Sequence, residues 1–239
     1  MPAPTVQPGN RCGTPARGCL ATGQTLLDDE ILKLVDGFKR FRHEHFHTED
    51  GLYQRLTREG QSPRIMVIAC CDARVDPAII TDCDPGDLFV VRNVANLVPP
   101  NESGGHYHGT SAALEFAVRG LGVRHVIVLG HARCGGIRAL LHDAIGTGES
   151  SQFIQPWMTI AAKARDTTLQ AGLDPQSDAA ARQCEQDAVR ISLENLLTFP
   201  WVAERIRDGV LQLHGWYFDM DGGELLRYDP TAQRFVSLT

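Results

Sequence analysis

The sequence has no long apolar run, no concentration of basic charge and no dense pattern of cysteines. No apolar stretch approaches the ~20 residues that a membrane-spanning helix requires. The 23 lysines and arginines are outnumbered by 29 aspartates and glutamates, which gives a formal net charge of −6. The basic residues are also dispersed, unlike the clusters that bind a nucleic-acid backbone. We therefore expect neither a membrane nor a nucleic acid as a partner.

The seven cysteines are too few and too irregularly spaced for the disulfide scaffold of a small secreted protein. The first residues are rich in proline and glycine and lack the apolar core of a signal peptide. Reduced thiols and a cytoplasmic location fit these features best, and organellar targeting by the N-terminal segment is the less favoured alternative. We expect residues 1–25 to form a flexible tail and residues 26–239 to form a single domain.

Apolar strand patterns alternate with helical patterns along most of the chain. This alternation predicts an α/β fold in which a central, mostly parallel sheet is flanked by helices. An amphipathic helix precedes the sheet, and a turn at Asp221-Gly222-Gly223 predicts a C-terminal β-hairpin. The predicted helices begin at Asp28, span 109–122, follow Gly136 and span 179–198. The predicted strands begin at Arg64 or span 87–92 and 123–129, and the hairpin pairs 210–219 with 224–228.

The first chemically unusual stretch is Ala69–Arg74, with the sequence ACCDAR, which directly follows an apolar strand. Successive side chains of a strand point to opposite faces. Cys70 and Cys71 therefore cannot both reach one pocket unless the chain turns between them. One of the two cysteines is expected to be a bystander.

A second such stretch, Gly130–Gly136 with the sequence GHARCGG, follows another apolar strand. In an open parallel sheet the loops beyond the carboxyl ends of the strands converge on one crevice, where ligands bind. Thiolates, an imidazole and a carboxylate suit a four-coordinate zinc ion. The sequence therefore predicts a zinc site at this crevice. Its candidate ligands are Cys70, Asp72, His131 and Cys134.

These two stretches resemble the zinc motifs of the β-class carbonic anhydrases. The resemblance continues through Gly60–Pro63, Pro85–Asn96 and Gly109–Glu115, and it covers most of the chain from about residue 26. Cys71 stands where members of this family often have serine, so the resemblance makes Cys70 the ligand of the pair.

The resemblance implies a ligand set and a reaction. One Zn²⁺ per subunit is bound by Cys70, His131 and Cys134, and Asp72 can become a fourth ligand in an inactive state. The implied reaction is the reversible hydration of CO2 to bicarbonate and a proton by a zinc-bound hydroxide. Asp72, held by Arg74, orients that hydroxide.

The resemblance also implies a substrate pocket and an oligomer. Val67 replaces the tryptophan of those members that have a non-catalytic bicarbonate site, so we predict an open zinc site of the plant-like type without that second site. The functional assembly is expected to be a homodimer or homotetramer in which the N-terminal helix wraps around a partner subunit. The implied substrate-binding residues are Gln61, Phe89, Val94, Phe116 and Gly135. The side-chain amide of Gln61 is expected to reach the substrate across the subunit interface.

Three alternatives stay open at this point. The same site can hydrolyse carbonyl sulfide or carbon disulfide, and the motifs do not separate these substrates from CO2. A non-catalytic module that binds zinc and bicarbonate is a second alternative. A thiol redox protein using Cys70 and Cys71 is the weakest, because neighbouring cysteines form a strained disulfide and no Cys-x-x-Cys motif occurs.

Overall fold

A computed structural model describes residues 28–46, 51–102, 104, 107–142 and 152–238. The chain divides between Gln54 and Arg55 into two compact units. Residues 1–25 lie outside the described residues, so the flexible tail and the single domain from residue 26 remain predictions. The helices and strands are α1 (Asp29–Phe46), α2 (Leu52–Glu59), β1 (Ile65–Cys70), α3 (Pro77–Thr81), β2 (Leu88–Asn93), α4 (Gly109–Glu115), β3 (His125–His131), α5 (Gly135–Leu141), α6 (Ile154–Met158), α7 (Ala162–Gln170), α8 (Asp178–Leu196), α9 (Pro200–Arg207), β4 (Gln212–Asp219), β5 (Glu224–Asp229) and β6 (Arg234–Ser237).

The smaller unit contains the amphipathic helix α1 that the sequence predicts. None of its residues is buried, and apolar side chains such as Leu34 and Phe38 are more than half exposed. The ring of Phe41 packs against Tyr53, with the ring centroids 5.0 Å apart. Neither α1 nor any other helix in the described ranges is long and apolar enough to cross a membrane.

The larger unit is built on a six-stranded sheet in the order β2-β1-β3-β4-β5-β6. The first four strands are parallel, and β5 and β6 join them in antiparallel pairing. β1 is apolar throughout because it lies in the middle of the parallel part, where both faces of a sheet are covered. The predicted α/β fold with a mostly parallel sheet and a C-terminal hairpin is confirmed.

Two details of the sheet differ from the sequence prediction. The third strand begins at His125 rather than Val123, because the backbone N–H of Val123 bonds to the carbonyl of Ala117 and closes the π-helical turn that follows α4. At its other end the strand runs beyond the predicted Leu129 to His131, which is a candidate metal ligand. β6 was not predicted from the sequence, since it is only four residues long and half exposed.

Two glycines let α8 pack unusually close to the sheet. A Cβ atom at Gly130 would lie 2.5 Å from Cγ2 of Val189, and one at Gly215 would lie 2.9 Å from Cδ1 of Leu193. At either distance the neighbouring side chain of α8 would have to shift, so the glycines allow the present close packing. The close approach brings the side chains of α8 directly behind the carboxyl ends of β3 and β4.

Candidate metal centre

The chain turns sharply where β1 ends, and the turn separates the two neighbouring cysteines. The backbone N–H of Cys71 donates to the carbonyl of Asn93 at 2.9 Å, which continues the pairing with β2 by one residue. The next N–H, that of Asp72, points back to the sulfur of Cys70 at 3.4 Å. Cys70 is buried and Cys71 is exposed, and both are free cysteines. Their different surroundings offer no support for a redox role as a bonded pair.

Arg92, on the neighbouring strand β2, fixes this turn with three hydrogen bonds. Its Nε donates to the carbonyl of Cys70 at 2.9 Å, and its Nη2 donates to the carbonyl of Asp72 at 2.7 Å. Its Nη1 pairs with the Asp76 carboxylate at 2.9 Å. The sequence analysis gave Arg92 no role. The available signal was an arginine in a strand of the sheet, a position where a charged side chain needs partners.

His131 ends β3 with a ring orientation that leaves one nitrogen available to a ligand. Its Nδ1 lies 2.8 Å from the carbonyl of Ala132, and since a carbonyl can only accept, Nδ1 carries the hydrogen. In the neutral ring Nε2 then carries the lone pair. This buried Nε2 has no hydrogen-bond partner among the described residues. An unpartnered buried nitrogen is costly in a folded protein, which points to a bound group there.

Cys70, His131 and Cys134 converge from the ends of β1 and β3. Their ligand atoms all lie within 4.8 Å of one another, and all three residues are buried. A hydrogen bond with Cys134 lowers the pKa of Cys70, and the same contact raises the pKa of Cys134. Burial opposes protonation of His131, but the nearby Cys70 sulfur, the carbonyl of Ala132 and the Asp72 carboxylate together outweigh it and raise the pKa of the ring. Binding of a metal ion at thiol and imidazole ligands displaces their protons.

This donor set fits a zinc ion. Two sulfurs and one imidazole nitrogen are ligands that zinc takes in tetrahedral sites, and three protein ligands leave a fourth position for water or substrate. A divalent cation also replaces the protons that otherwise neutralise the two thiols, and it satisfies the unpartnered Nε2 of His131.

Asp72 does not belong to this group of three and instead forms a two-pronged pair with Arg74. Nε of Arg74 donates to Oδ1 of Asp72 at 2.9 Å, and Nη2 donates to Oδ2 at 2.6 Å. These bonds hold the pKa of the Asp72 carboxyl well below its usual range. The same Nη2 donates to the carbonyl of Arg133 at 3.1 Å, so the pair also ties the loop after β1 to the loop after β3. The open type of site remains a prediction.

The predicted substrate residues fall into two groups in the structure. Val94 lines a cavity of about 800 Å³, and a Cβ atom at Gly136 would lie 3.0 Å from Cγ1 of Val94. Space around Gly135 is open. Phe89 and Phe116 form a second group, with ring centroids 5.8 Å apart. Neither ring lines the cavity.

Gln61 lies in the exposed loop between α2 and β1 and does not line the cavity either. The described residues of this one chain therefore do not assemble all five predicted substrate residues into a single pocket. Their roles remain predictions.

Comparison with known protein families identifies relatives over most of the chain. Residues 65–225 match the model of the carbonic anhydrase family. Among curated proteins, β carbonic anhydrase 5, chloroplastic, of Arabidopsis thaliana is 39% identical over 196 residues, which are 82% of this chain and 60% of the relative. β carbonic anhydrase 6, mitochondrial, of the same plant is 35% identical over 191 residues, 80% of this chain and 65% of the relative. The chain thus spans less than two thirds of the length of either.

Solved structures of the same family share the fold. The β-carbonic anhydrase CcaA superimposes with a TM-score of 0.81 at 32% identity, covering 89% of this chain and 93% of that one. A tetrameric β-carbonic anhydrase of the fungus Sordaria macrospora superimposes with a TM-score of 0.68 at 26% identity, covering 83% of this chain and 94% of the other.

The prediction of a cytoplasmic protein is wrong by this comparison. The two plant relatives are named as chloroplastic and mitochondrial proteins. The prediction depended on the scattered cysteines and on the lack of a signal-peptide core in the first residues, and composition over so short a stretch discriminates poorly. That segment lies outside the described residues, so the structure adds nothing to the question.

Proposed function

This chain belongs to the β-class of the carbonic anhydrase family, and we propose from that premise that it catalyses the reversible hydration of CO2 to bicarbonate and a proton. The observation that carries the proposal is the buried group of Cys70, His131 and Cys134 next to the Asp72–Arg74 pair. It combines a zinc-type donor set with a fixed carboxylate beside the open position.

Cys70, His131 and Cys134 are the residues that would hold the zinc ion. A zinc ion held there acts as a Lewis acid that lowers the pKa of water and supplies a nucleophile at neutral pH. Two of the three ligands are thiolates, which balance the charge of the cation. A site of this kind depends strongly on neighbouring groups to activate and orient water.

Asp72 supplies that help as a hydrogen-bond acceptor. Because both of its oxygens are held by Arg74, the carboxylate stays ionised and keeps one orientation. An acceptor fixed in this way orients the hydrogen of a reacting water, so that a lone pair faces the substrate. Arg74 is therefore a positioning residue, and Asp72 is the group that contacts the reacting water.

CO2 is uncharged and accepts only weak hydrogen bonds, so an apolar surface suits it. Val94 provides an apolar side chain beside Gly136, two residues after the ligand Cys134, and the space around Gly135 is open to a small molecule. We assign Phe89, Phe116 and Gln61 to the same pocket when they come from a second copy of the chain. Their separation from Val94 within one chain supports this assignment, as does the tetrameric state of the Sordaria macrospora relative.

The test is stopped-flow hydration of CO2, with and without a zinc chelator, on the wild type and on Cys134→Ala. We expect the wild type to be active and to lose activity to the chelator. Cys134→Ala is expected to lose zinc and to fall to the uncatalysed rate, since two ligands do not retain the ion. Carbonyl sulfide and carbon disulfide, assayed in parallel, are expected to react far more slowly than CO2.

Cys184→Ala is the matched control for loss of a buried sulfur. Cys184 is fully buried on α8 and is not part of the three-residue group. We expect this variant to lose stability by about 1–2 kcal/mol, because a small cavity replaces the sulfur, and to keep both zinc and activity. A wild type that is fully active without metal, or a Cys134→Ala protein with wild-type turnover, contradicts the proposed function.

A further inference from the structure

A buried carboxylate lies directly behind the loop that carries Cys134. Glu185 is on α8 and is only 3% exposed. Its Oε1 accepts a hydrogen bond from the backbone N–H of Cys134 at 2.9 Å. Its Oε2 accepts one from the hydroxyl of Tyr217 at 2.7 Å, and Tyr217 is itself fully buried on β4. Acidic side chains are rarely buried to this degree, so the position calls for a specific role.

The packing of α8 fixes where this carboxylate points. Val189, one turn further along the helix, fills the spaces that side chains at Gly130 and Gly215 would occupy. Since helix and strands interlock at these two glycines, α8 has little freedom to slide or roll. The Glu185 side chain is consequently held level with the ends of β3 and β4.

The backbone that Glu185 contacts is in a conformation that needs support. Arg133, the residue before Cys134, has φ of 59°, in the left-handed region that costs a non-glycine residue about 1 kcal/mol or more. Such a conformation persists only where the surroundings impose it. In this loop Arg74 holds the carbonyl of Arg133, and Glu185 holds the N–H of Cys134. The two bonds hold both ends of the one peptide unit that joins Arg133 to Cys134, and this unit sets the direction of the Cys134 side chain.

We propose that Glu185 is a positioning residue for the metal ligand Cys134, held in turn by the hydroxyl of Tyr217. Its hydrogen bond maintains the left-handed turn at Arg133 and so aims the Cys134 sulfur at the other two ligands. This inference rests on the proposed function, in that the same three donors hold the zinc ion. The role depends on hydrogen bonding rather than on charge, so an amide of the same length must serve as well as the carboxylate.

The test compares Glu185→Met with Glu185→Gln in zinc-loaded protein. Methionine fills nearly the same volume but accepts no such hydrogen bond, whereas glutamine keeps an oxygen for the N–H of Cys134. With a chromogenic chelator in excess, we expect Glu185→Met to release zinc at least ~10-fold faster than the wild type. Glu185→Gln is expected to release zinc close to the wild-type rate.

Cobalt(II) in place of zinc gives a second readout that does not depend on activity. We expect the sulfur-to-cobalt charge-transfer bands to shift in Glu185→Met and to keep their wild-type positions in Glu185→Gln. Tyr217→Phe, which removes only the hydroxyl, is expected to release zinc at a rate between those of the wild type and Glu185→Met.

Asp187→Leu is the matched control for the loss of a buried acid. Asp187 is 4% exposed on the same helix, and it accepts a hydrogen bond from Gln183, also on α8, at 2.9 Å. We expect this variant to melt at a lower temperature, as Glu185→Met does, but to release zinc at the wild-type rate. A merely structural role for Glu185 predicts instead that both variants change zinc release equally.

Three results would overturn the inference. They are unchanged zinc release in Glu185→Met, equally fast release in Asp187→Leu, and fast release in Glu185→Gln. If Glu185→Met does not fold, Tyr217→Phe and Glu185→Gln test the inference. Zinc release at the wild-type rate in Tyr217→Phe together with fast zinc release in Glu185→Gln would contradict the assigned contacts. Failure of the proposed function looks different: the wild type would retain zinc without hydrating CO2.

Discussion

The two loops that form the metal centre are held in place by different means. The loop after β1 is fixed from the solvent side by arginines, with Arg74 more than half exposed and Arg92 about a quarter exposed. The loop after β3 accepts one bond from Arg74 but is also fixed from the interior by Glu185, which Tyr217 holds in turn, and Glu185 and Tyr217 are both buried. Exposed arginine pairs exchange readily with water, whereas a buried hydrogen bond has no such competitor.

This difference matches what each loop has to do. The first loop carries Asp72, which in the proposed function orients a reacting water and needs a partner accessible from the substrate side. The second carries Cys134, which only has to stay in place. An exposed ion pair therefore serves the reacting group, and a buried carboxylate serves a metal ligand. Variants on the two loops should accordingly affect different quantities.

The largest effect in the first loop is expected from Asp72→Asn. The amide keeps the shape of the side chain but is a poorer acceptor, and it loses the charged pair with Arg74. We expect the rate of CO2 hydration to fall by about 10²–10⁴, with zinc content unchanged, as measured by stopped flow and metal analysis on the same sample.

Arg74→Lys sharpens this prediction. Lysine retains the positive charge but lacks the fork that holds both carboxylate oxygens, so its rate should fall between those of the wild type and Asp72→Asn. Zinc lost in proportion to activity in either variant would mean that this loop retains the metal rather than orienting water.

An intermediate effect, on stability, is expected from Arg92→Met. The change removes three hydrogen bonds to the turn between Cys70 and Asp76 while keeping most of the side-chain volume. We expect the free energy of unfolding, from urea titration, to fall by about 2–3 kcal/mol, because two carbonyls lose a charged donor.

The control for Arg92 is Arg119→Met, which removes an exposed pair with Glu115 one turn away on the same helical segment. Its expected cost is about 0.5 kcal/mol or less. Equal costs for the two arginines would show that Arg92 does not support the turn.

The smallest effect concerns the hairpin behind the second loop and depends on pH. Burial opposes ionisation of Asp219, but the hydrogen bond and charge of Arg182 and the backbone N–H groups of Asp221 and Gly222 together outweigh it and hold the pKa of this carboxyl below its usual value. The pair therefore adds stability above the unfolded-state pKa of about 3.9, and this contribution is lost as the pH falls through the lower folded-state value.

Asp219→Asn tests that sign. We expect the variant to be less stable than the wild type by at most ~1 kcal/mol near neutral pH, since Arg182 is partly exposed, and the gap to close as the pH falls below ~4. Urea midpoints of both proteins at about pH 6 and about pH 3 measure it. A gap that stays constant or widens in acid contradicts the assignment.

Local sequence patterns were enough to predict the frame of the site. Apolar runs marked β1 and β3, and the rule that parallel strand ends converge brought residues as distant as Cys70 and Cys134 to one crevice. The family resemblance then selected Cys70 over Cys71. The structure places Cys70, His131 and Cys134 together, and that grouping was within reach because each inference depends on the strand itself or on a motif within a few residues of it.

The supports of the site were beyond such reasoning. Glu185 lies on a helix far along the chain from Cys134, and nothing in the residues around it signals that its oxygen meets that backbone N–H. Gly130 and Gly215 leave room for α8 to pack close to the sheet, but this close packing is evident only in the folded structure. Arg92 was visible in the sequence as a charge in a strand, yet two of its three acceptors are backbone carbonyls, which no side-chain pattern records.

The central claim is that the ends of β1 and β3 place two sulfurs and one imidazole around a single divalent ion. X-ray absorption at the zinc edge of the zinc-loaded protein tests it most directly, with Cys71→Ser as the control for the neighbouring cysteine. The account predicts two sulfur neighbours at about 2.3 Å and two nitrogen or oxygen neighbours at about 2.0–2.2 Å, unchanged in Cys71→Ser. A shell without sulfur, or one that loses a sulfur in Cys71→Ser, would contradict it.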